Sequence, residues 1–364
     1  MNIIIILSAL FTLVLTVILF PYIIAILNNK KIGDQIDERR MHRSFIPTAG
    51  GVGFLTPVLL TIGLFSLYSN SLEIFLFVLC LTTITIVGFL DDLYKMSAKT
   101  KLLAMVFPVL IFTYSSDIKI TSLYGLFGIY ELNLGLSYLI TVLVVLFLTN
   151  AFNLLDGIDG LLGLIATFIL LLFGSWFSLV GEYSYAFISF VLGGGIIGFL
   201  GHNWHPAKIF MGDSGSLAIG FVISFLAVAF LETNYAIEEG MLFKLESPIS
   251  LAIAVLILPI FDTSRVFILR IMNKKSPFSP DKRHIHHYLH NLNFGHAKIC
   301  LSLLSFNIIT ITLVFTLRSF SDSILIFLIG SALFLLSASM FLYKKRVPVA
   351  ANTSLVENMK FKVN

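Results

Sequence analysis

Long apolar runs separated by short polar segments dominate this chain. A helix needs about 20 apolar residues to cross the hydrocarbon core of a bilayer, so runs of this kind predict membrane-spanning helices. We predict an all-α polytopic membrane protein of about eleven transmembrane helices, with one domain over residues 1–346 and a short flexible tail over 347–364. The predicted spans are Ile3–Leu27, Gly50–Leu67, Ile74–Leu90, Leu102–Tyr114, Leu136–Leu148, Leu161–Val180, Tyr185–Leu200, Ser216–Leu231, Ile249–Leu269, Ile299–Leu317 and Ser323–Tyr343.

Positive charge is unevenly divided between the two sets of loops that alternating spans create. Only Lys119, Lys244 and Arg318 of the 24 Lys and Arg residues fall in one set. Cytoplasmic loops are enriched in Lys and Arg, so we predict that the other set is cytoplasmic, with the N-terminus outside and the C-terminus inside. The predicted cytoplasmic loops are Asn28–Ala49, Asp91–Lys101, Asn150–Gly160, Gly201–Gly215 and Arg270–Lys298.

Composition excludes several classes of protein. The chain is 57% hydrophobic and 12% charged, which is incompatible with a soluble globule. Its two cysteines, Cys80 and Cys300, both lie in apolar runs, which excludes a disulfide framework or a cysteine-ligated metal site. The net charge of +4 is too small to indicate nucleic-acid binding.

The stretch Asn150–Gly160 concentrates polar chemistry at a predicted membrane boundary. Asn150 and Asn153 lie three residues apart, as do Asp156 and Asp159, so each pair can share one helix face. The bland alternative is a polar cap between two helices. Four oxygen acceptors with interspersed glycines instead favour a cation or phosphate site.

Three further aspartates lie at predicted helix ends. Asp91 and Asp92 end the third span, where the helix dipole disfavours carboxylates, and adjacent helix positions point about 100° apart, which predicts different roles. Asp213 precedes the eighth span, and we predict a Mg²⁺ ligand beside helix N-terminal amides. The competing interpretation is that Asp213, Ser214 or Ser216 simply caps that helix.

Two other loops carry candidate substrate contacts. The PTAGG entry to the second span predicts exposed helix N-terminal amides that favour an anion, with Arg43 and Thr48 nearby. Phe210, in an otherwise polar loop, has an aromatic face that could stack on a base.

The segment SPDKRHIHHYLH groups imidazoles with cations. Zinc is conceivable there, but no thiolate or H-E-x-x-H spacing accompanies the histidines, and the grouping suits a diphosphate better. Asp262 and Arg265 are predicted to form a structural i,i+3 pair. The cations and imidazoles that we expect beside the diphosphate are Arg283, His284, His286 and His287.

Four motifs in order, GFLDDLYK, NAFNLLDGIDGL, FMGDSGSLAIG and PDKRHIHH, resemble the polyprenyl-phosphate N-acetylhexosamine-1-phosphate transferases of the WecA/MraY-type superfamily. The resemblance covers almost the whole chain. It implies a bacterial inner-membrane enzyme that moves a sugar 1-phosphate from a UDP-sugar to undecaprenyl phosphate, releases UMP and starts polysaccharide synthesis. The final span and HIHH favour UDP-N-acetylglucosamine as donor. UDP-linked muramoyl-pentapeptide is an alternative donor, and a secondary transporter of an anionic solute is an alternative from another class.

The resemblance also implies roles for matching residues. Asp213 would be the principal Mg²⁺ ligand with Asn153 as helper, and Mn²⁺ could substitute for Mg²⁺. The resemblance also implies a homodimer. Asp91 and Asp92 would lie near the polyprenyl phosphate, and Asp156 and Asp159 near the nucleotide sugar. The histidines would lie beside the sugar or diphosphate. The implied substrate contacts are Arg43, Thr48, Lys101, Asn150, Asn203, Phe210, Gly212 and Arg283.

Overall fold

The computed structural model describes residues 1–34, 45–276 and 283–346, and these residues are almost entirely helical. Ten of the described helices are long and apolar enough to cross a membrane, and a bent pair brings the number to as many as eleven. The chain is therefore a multi-pass membrane protein. Its contacts divide it into two units, Met1–Asp322 and Ser323–Asn364, so the prediction of one domain over 1–346 stays a prediction.

The helices are α1 (Asn2–Asn29), α2 (Gly50–Ser69), α3 (Leu72–Tyr94), α4 (Ala98–Ser115), α5 (Leu134–Leu155), α6 (Leu161–Val180), α7 (Tyr183–Asn203), α8 (Gly212–Ala236), α9 (Pro248–Val255), α10 (Ile257–Met272), α11 (Ile285–Asn291), α12 (His296–Thr316) and α13 (Asp322–Arg346). Two short antiparallel strands, β1 (Gly33–Asp34) and β2 (Ile46–Pro47), precede α2.

Helix α8 is the centre of the first unit. Its apolar window is 94% buried, whereas that of α1 is only 22% buried and leaves most of its side chains to lipid. Glycines allow α2 and α3 to approach the start of α8 closely. A Cβ atom at Gly51 would lie 2.0 Å from the backbone nitrogen of Gly215, and one at Gly88 would lie 2.4 Å from the carbonyl oxygen of Asp213. The sequence therefore brings three helices together where Asp213 begins its helix.

The ninth predicted span is not one straight helix. Helices α9 and α10 meet at an angle of 77° beside Leu256, whereas the apolar run predicted continuity over Ile249–Leu269. Pro259 has no N–H to donate to the carbonyl four residues earlier, which is that of Val255. The buried Asn307 of α12 donates instead to the carbonyls of Ala254 and Val255, at 3.1 and 3.3 Å. The break thus has a compensating donor.

The segment between α4 and α5 forms a short hairpin, with an antiparallel bridge between Ser122 and Glu131. Leu123 N–H donates to the carbonyl of Tyr130 at 3.0 Å, and Leu132 N–H donates to that of Thr121 at 2.9 Å. The Thr121 hydroxyl and amide in turn donate to Glu232 at 2.6 and 2.8 Å, which ties the hairpin to the last turns of α8.

Candidate active site

A carboxylate cluster forms where α3, α4 and α8 meet. The ammonium of Lys101 lies 3.2 Å from Asp91 Oδ2 and also donates to Asp213 Oδ2. The side chains of Lys101 and Asp91 are each 14% exposed. Asp91 Oδ1 is buried and accepts no hydrogen bond from any described residue. One cation therefore balances two carboxylates in a largely enclosed place, and Lys101 is positioned by them.

Asp92 has a different partner from Asp91, consistent with the angle of about 100° between adjacent helix positions. Its two carboxylate oxygens accept the backbone N–H groups of Asp213 at 2.7 Å and Ser214 at 3.1 Å. A carboxylate that is unfavourable at the end of α3 thus becomes favourable at the start of α8, where the dipole is positive. The capping alternative is wrong, because no side chain of α8 caps the helix and Asp213 lies inside its first turn.

The glycine before Asp213 leaves room for this arrangement. Gly212 has φ +73°, and a Cβ atom there would lie 2.6 Å from an oxygen of Asp92. A side chain at position 212 would therefore displace the Asp92 carboxylate. This is a packing role for Gly212, and its predicted substrate contact stays a prediction.

Asn153 and Asn150 lie on the same helix but make different contacts. Asn153 Nδ2 donates to Ser216 Oγ at 2.8 Å, and its amide also lies within hydrogen-bonding reach of the Asp213 carboxylate. Asn150 Nδ2 donates to the carbonyl of Leu146, one turn earlier in its own helix. The amide of Asn153 thus belongs to the carboxylate cluster.

The start of α2 is joined to the loop before α8 by backbone hydrogen bonds. Gly50 and Gly51 donate to the carbonyls of Phe210 and Met211 at 2.9 and 2.8 Å, and Phe210 N–H donates to Pro47 at 2.9 Å. The expectation that these α2 amides are exposed to an anion is therefore wrong. Thr48 N–H donates to the Ile32 carbonyl at 3.3 Å. Arg43 lies outside the described residues.

Asp156 ends α5 and faces the carboxylate cluster. Burial raises its pKa to about 7, and the negative charges of Asp213, Asp92 and Asp159 add to the shift. A carboxyl group in such surroundings exchanges its proton near neutral pH, which suits a group that holds or moves a proton.

The histidine segment packs on the loop after Asp156. A Cβ atom at Gly157 would lie 2.2 Å from atoms of the His286 imidazole, so only glycine allows this contact. Burial lowers the pKa of His286 to about 3, with a further contribution from His287, so this imidazole is neutral at physiological pH. The rings of His284 and His286 are stacked, with centroids 5.8 Å apart.

Asp262 anchors the histidine segment to α10. Its carboxylate lies 2.8 Å from His284 Nδ1, accepts the Ile285 N–H at 2.8 Å and lies 3.2 Å from Arg265. Arg265 also donates to the carbonyl of Arg283. The predicted structural pair of Asp262 and Arg265 is confirmed, and the pair holds His284 and the Arg283 carbonyl against α10.

Asp159 lies in different surroundings from Asp156. Its Oδ2 atom is 2.9 Å from His205 Nδ1, 3.4 Å from His296 Nδ1 and 3.2 Å from the Ala207 backbone N–H. Burial alone would raise its pKa, but the hydrogen bonds with His205 and the Ala207 amide and the approach of His296 outweigh burial and lower the pKa to about 2. Sequence reasoning missed His205 and His296. His205 stands in the same polar loop as Phe210, which was the available signal.

Asn203 connects the loop of Asp159 to the loop before α8. Its side-chain oxygen accepts the Gly160 N–H at 2.9 Å, and its Nδ2 donates to the Ile209 carbonyl at 2.9 Å. Both ends of this buried amide therefore have backbone partners, and the predicted uridine contact stays a prediction.

Comparisons with known proteins place this geometry in a family. Residues 74–231 match the model of glycosyl transferase family 4. The chain is 35% identical over 275 residues to a probable undecaprenyl-phosphate N-acetylglucosaminyl 1-phosphate transferase of Bacillus subtilis, covering 73% of this chain and 72% of the relative. It is 30% identical over 277 residues to the undecaprenyl-phosphate alpha-N-acetylglucosaminyl 1-phosphate transferase of Escherichia coli K12, covering 73% and 71%.

A mycobacterial relative extends the comparison to another polyprenyl carrier. The chain is 33% identical over 287 residues to a decaprenyl-phosphate N-acetylglucosaminephosphotransferase of Mycobacterium leprae, covering 72% of this chain and 71% of that protein. The four ordered motifs, the contacts among them and these similarities agree. The chain belongs to the polyprenyl-phosphate N-acetylhexosamine-1-phosphate transferases.

Proposed function

We propose that this protein transfers N-acetylglucosamine 1-phosphate, or a closely related N-acetylhexosamine 1-phosphate, from its UDP derivative to undecaprenyl phosphate. UMP is the second product, and the lipid-linked sugar starts a cell-envelope polysaccharide. The observation that carries the proposal is the convergence of Asp91, Lys101 and Asp213 at one end of a membrane helix bundle. The names of the relatives favour neither transport nor a muramoyl-pentapeptide donor.

The proposed site lies at the cytoplasmic face of a bacterial inner membrane. The support is the concentration of Lys and Arg in the loops that carry the motifs. A UDP-sugar made in the cytoplasm would reach this face directly, while the polyprenyl tail of the acceptor would stay in the bilayer. A homodimer is part of the same proposal through family resemblance.

Magnesium is the cofactor that the donor set fits. Mg²⁺ prefers carboxylate and amide oxygens, and Asp91, Asp213 and Asn153 supply three side chains of this kind in one place. The buried Asp91 Oδ1 has no hydrogen-bond donor among the described residues, which leaves an oxygen for a cation. When bound, the cation would neutralise charge on the diphosphate and the leaving UMP.

The residues of the chain then act mainly by position and charge. An acceptor phosphate oxygen attacks the β-phosphorus of the UDP-sugar, and the bond from that phosphorus to the bridging oxygen breaks, so UMP carries away the bridging oxygen. We assign Asp91 to positioning the acceptor and Lys101 to balancing charge. Asp92 holds the Asp213 backbone in place. Asp156, with its pKa near 7, holds a proton at the edge of the cluster.

UMP release tests the proposal. Detergent-purified protein is given undecaprenyl phosphate, UDP-N-acetylglucosamine and Mg²⁺, and we expect release that needs both the lipid and the metal. Asp213→Ala should abolish release. Asp117→Ala is the matched control, because the Asp117 carboxylate is 80% exposed and follows the C-terminal end of α4, whereas Lys101 lies in the first turn of that helix. Folded protein that releases no UMP from any UDP-sugar would refute the transferase proposal.

A further inference from the structure

A second group of polar side chains lies apart from the carboxylate cluster and has no part in the reaction proposed above. It consists of Asp159, His205 and His296, and we call it the imidazole cluster. The three residues come from the loop before α6, the loop after α7 and the first residue of α12. One ligand atom from each lies within 4.8 Å of the other two. Three distant segments thus present a carboxylate and two imidazoles to one point.

The distances within the imidazole cluster are those of a metal site. Zn²⁺ binds imidazole nitrogen and carboxylate oxygen at about 2.0–2.1 Å in tetrahedral geometry, which separates neighbouring ligand atoms by about 3.3 Å. Asp159 Oδ2 is 2.9 Å from His205 Nδ1 and 3.4 Å from His296 Nδ1. The two imidazole centroids are 4.3 Å apart. Small side-chain adjustments would place all three atoms around one cation.

Two observations beside this geometry favour a cation over a hydrogen-bonded group alone. His296 Nδ1 is buried, yet it makes no hydrogen bond of ordinary geometry with any described residue. The Ala207 N–H also donates to Asp159 Oδ2 at 3.2 Å. Carboxylates that bind metals are commonly oriented by a hydrogen bond of this kind from a group that does not itself bind the metal. A divalent cation would satisfy the buried imidazole nitrogen and allow the two rings to remain adjacent.

The donor set selects the class of metal. Imidazole suits zinc and its neighbours in the transition series, whereas Mg²⁺ prefers an all-oxygen shell. We propose that Asp159, His205 and His296 bind a divalent transition metal, with Zn²⁺ as the best fit, at a structural site separate from the carboxylate cluster.

The expected consequence is a fixed loop between α5 and α6. Asp159 lies three residues after Asp156, and the intervening Gly157 packs against the His286 ring. A metal at Asp159 would therefore fix the end of the loop that carries Asp156, and it would also attach the start of α12 to that loop. The site would act by positioning this loop.

Metal content is the direct test. The protein is purified without an oligohistidine tag, incubated with Zn²⁺ and Mg²⁺, dialysed against buffer and analysed by elemental mass spectrometry. We expect about one zinc per chain in the wild type, and its loss in His205→Gln/His296→Gln. His202→Gln is the matched control, because His202 stacks on Phe20 at 5.1 Å and lies outside the cluster. Asp213→Ala should also retain zinc, which separates this site from the magnesium proposal.

A spectroscopic measurement on the wild type covers the case in which the double variant does not fold. Co²⁺ in a tetrahedral nitrogen and oxygen site has visible absorption bands, and we expect such bands to appear on titration and to vanish when Zn²⁺, but not Mg²⁺, is added. Wild-type protein that retains no zinc and gives no tetrahedral cobalt bands would refute the site. Equal zinc content in folded His205→Gln/His296→Gln and in the wild type would refute it as well.

Discussion

Asp156 and Asp159 are three residues apart, yet their carboxyl groups lie in opposite electrostatic surroundings. Asp156 faces other carboxylates and its pKa rises to about 7, whereas Asp159 faces imidazoles and an amide and its pKa falls to about 2. The sequence motif is the same for both, a carboxylate next to a glycine. The difference shows that the neighbours decide whether an aspartate stores a proton or a fixed negative charge.

Among the variants that test this contrast, we expect the largest effect from removing Lys101, whose ammonium lies between the carboxylates of Asp91 and Asp213. Lys101→Ala leaves Asp91 and Asp213 facing each other without charge balance, so we expect UMP release to fall by about 10²–10³-fold. The measurement is turnover of purified variants at saturating lipid and UDP-sugar. Lys99→Ala, on an exposed position of the same helix, should keep near wild-type turnover. Equal losses in the two variants would contradict a specific role for Lys101.

The contact between the Asp156 loop and the histidine segment is the next point to break. Gly157→Ala would push a methyl group into the His286 ring, because the added atom would lie 2.2 Å from it. We expect turnover to drop by about 10²-fold through misplacement of Asp156, with the protein still folded. Gly201→Ala is the control, since a Cβ atom there meets nothing within 4 Å. Unchanged turnover in Gly157→Ala would show that this loop can move without cost.

Asp156→Asn should stabilise the protein while impairing turnover. Because the pKa in the folded protein is about 7 against an ordinary value of 3.8, the folded protein holds this proton more tightly than the unfolded chain. Wild-type stability should therefore fall as the pH rises from about 4 to about 7, and Asn removes that loss. We expect Asp156→Asn to gain on the order of 2 kcal/mol over the wild type between pH 5 and pH 8.

The measurement is unfolding in detergent and EDTA at both pH values. A gain that is the same at pH 5 and pH 8 would come from something other than the Asp156 proton.

Asp159→Asn should destabilise the protein, in contrast to Asp156→Asn, and its effect should be the smallest of those predicted here. The ionised carboxylate stabilises the fold through its hydrogen bonds with His205 and the Ala207 amide and its contact with His296, so we expect the variant to lose about 1–2 kcal/mol at pH 7 in metal-free buffer. The pKa of Asp159 is lower in the folded protein than in the unfolded chain. The stability that its carboxylate contributes is therefore fully present at a pH above the ordinary pKa of Asp, and it disappears as the pH falls from about 4 towards 2.

Unfolding at pH 7 and pH 3.5 measures the change, and the difference in unfolding free energy between the wild type and the variant should be smaller at the lower pH. A stabilised Asp159→Asn at pH 7 would overturn the contrast between the two aspartates.

Much of this arrangement was predictable because it depends on local patterns. Apolar runs located the spans, and helix geometry predicted different roles for Asp91 and Asp92, whose partners in the structure differ. The bend at Leu256 was missed because a proline in an apolar run is compatible with either a kink or a new helix start, and the compensating donor, Asn307, lies about fifty residues away. His205 and His296 were missed for a similar reason. Nothing near either residue in the chain indicates Asp159, and only the packing of α6, α7 and α12 brings them together.

The bond from Asp92 to the start of α8 has a consequence for how the protein is made. Donor and acceptor are 121 residues apart in the chain. During synthesis α3 is made before α8, so the Asp92 carboxylate lacks its two amide donors while α4 to α7 enter the bilayer. The first amides of α8 then bind an acceptor that is already in place. Synthesis of α8 therefore supplies the hydrogen-bond donors of Asp92 together with Asp213. A nascent chain arrested before α8 contains neither the bond nor the site.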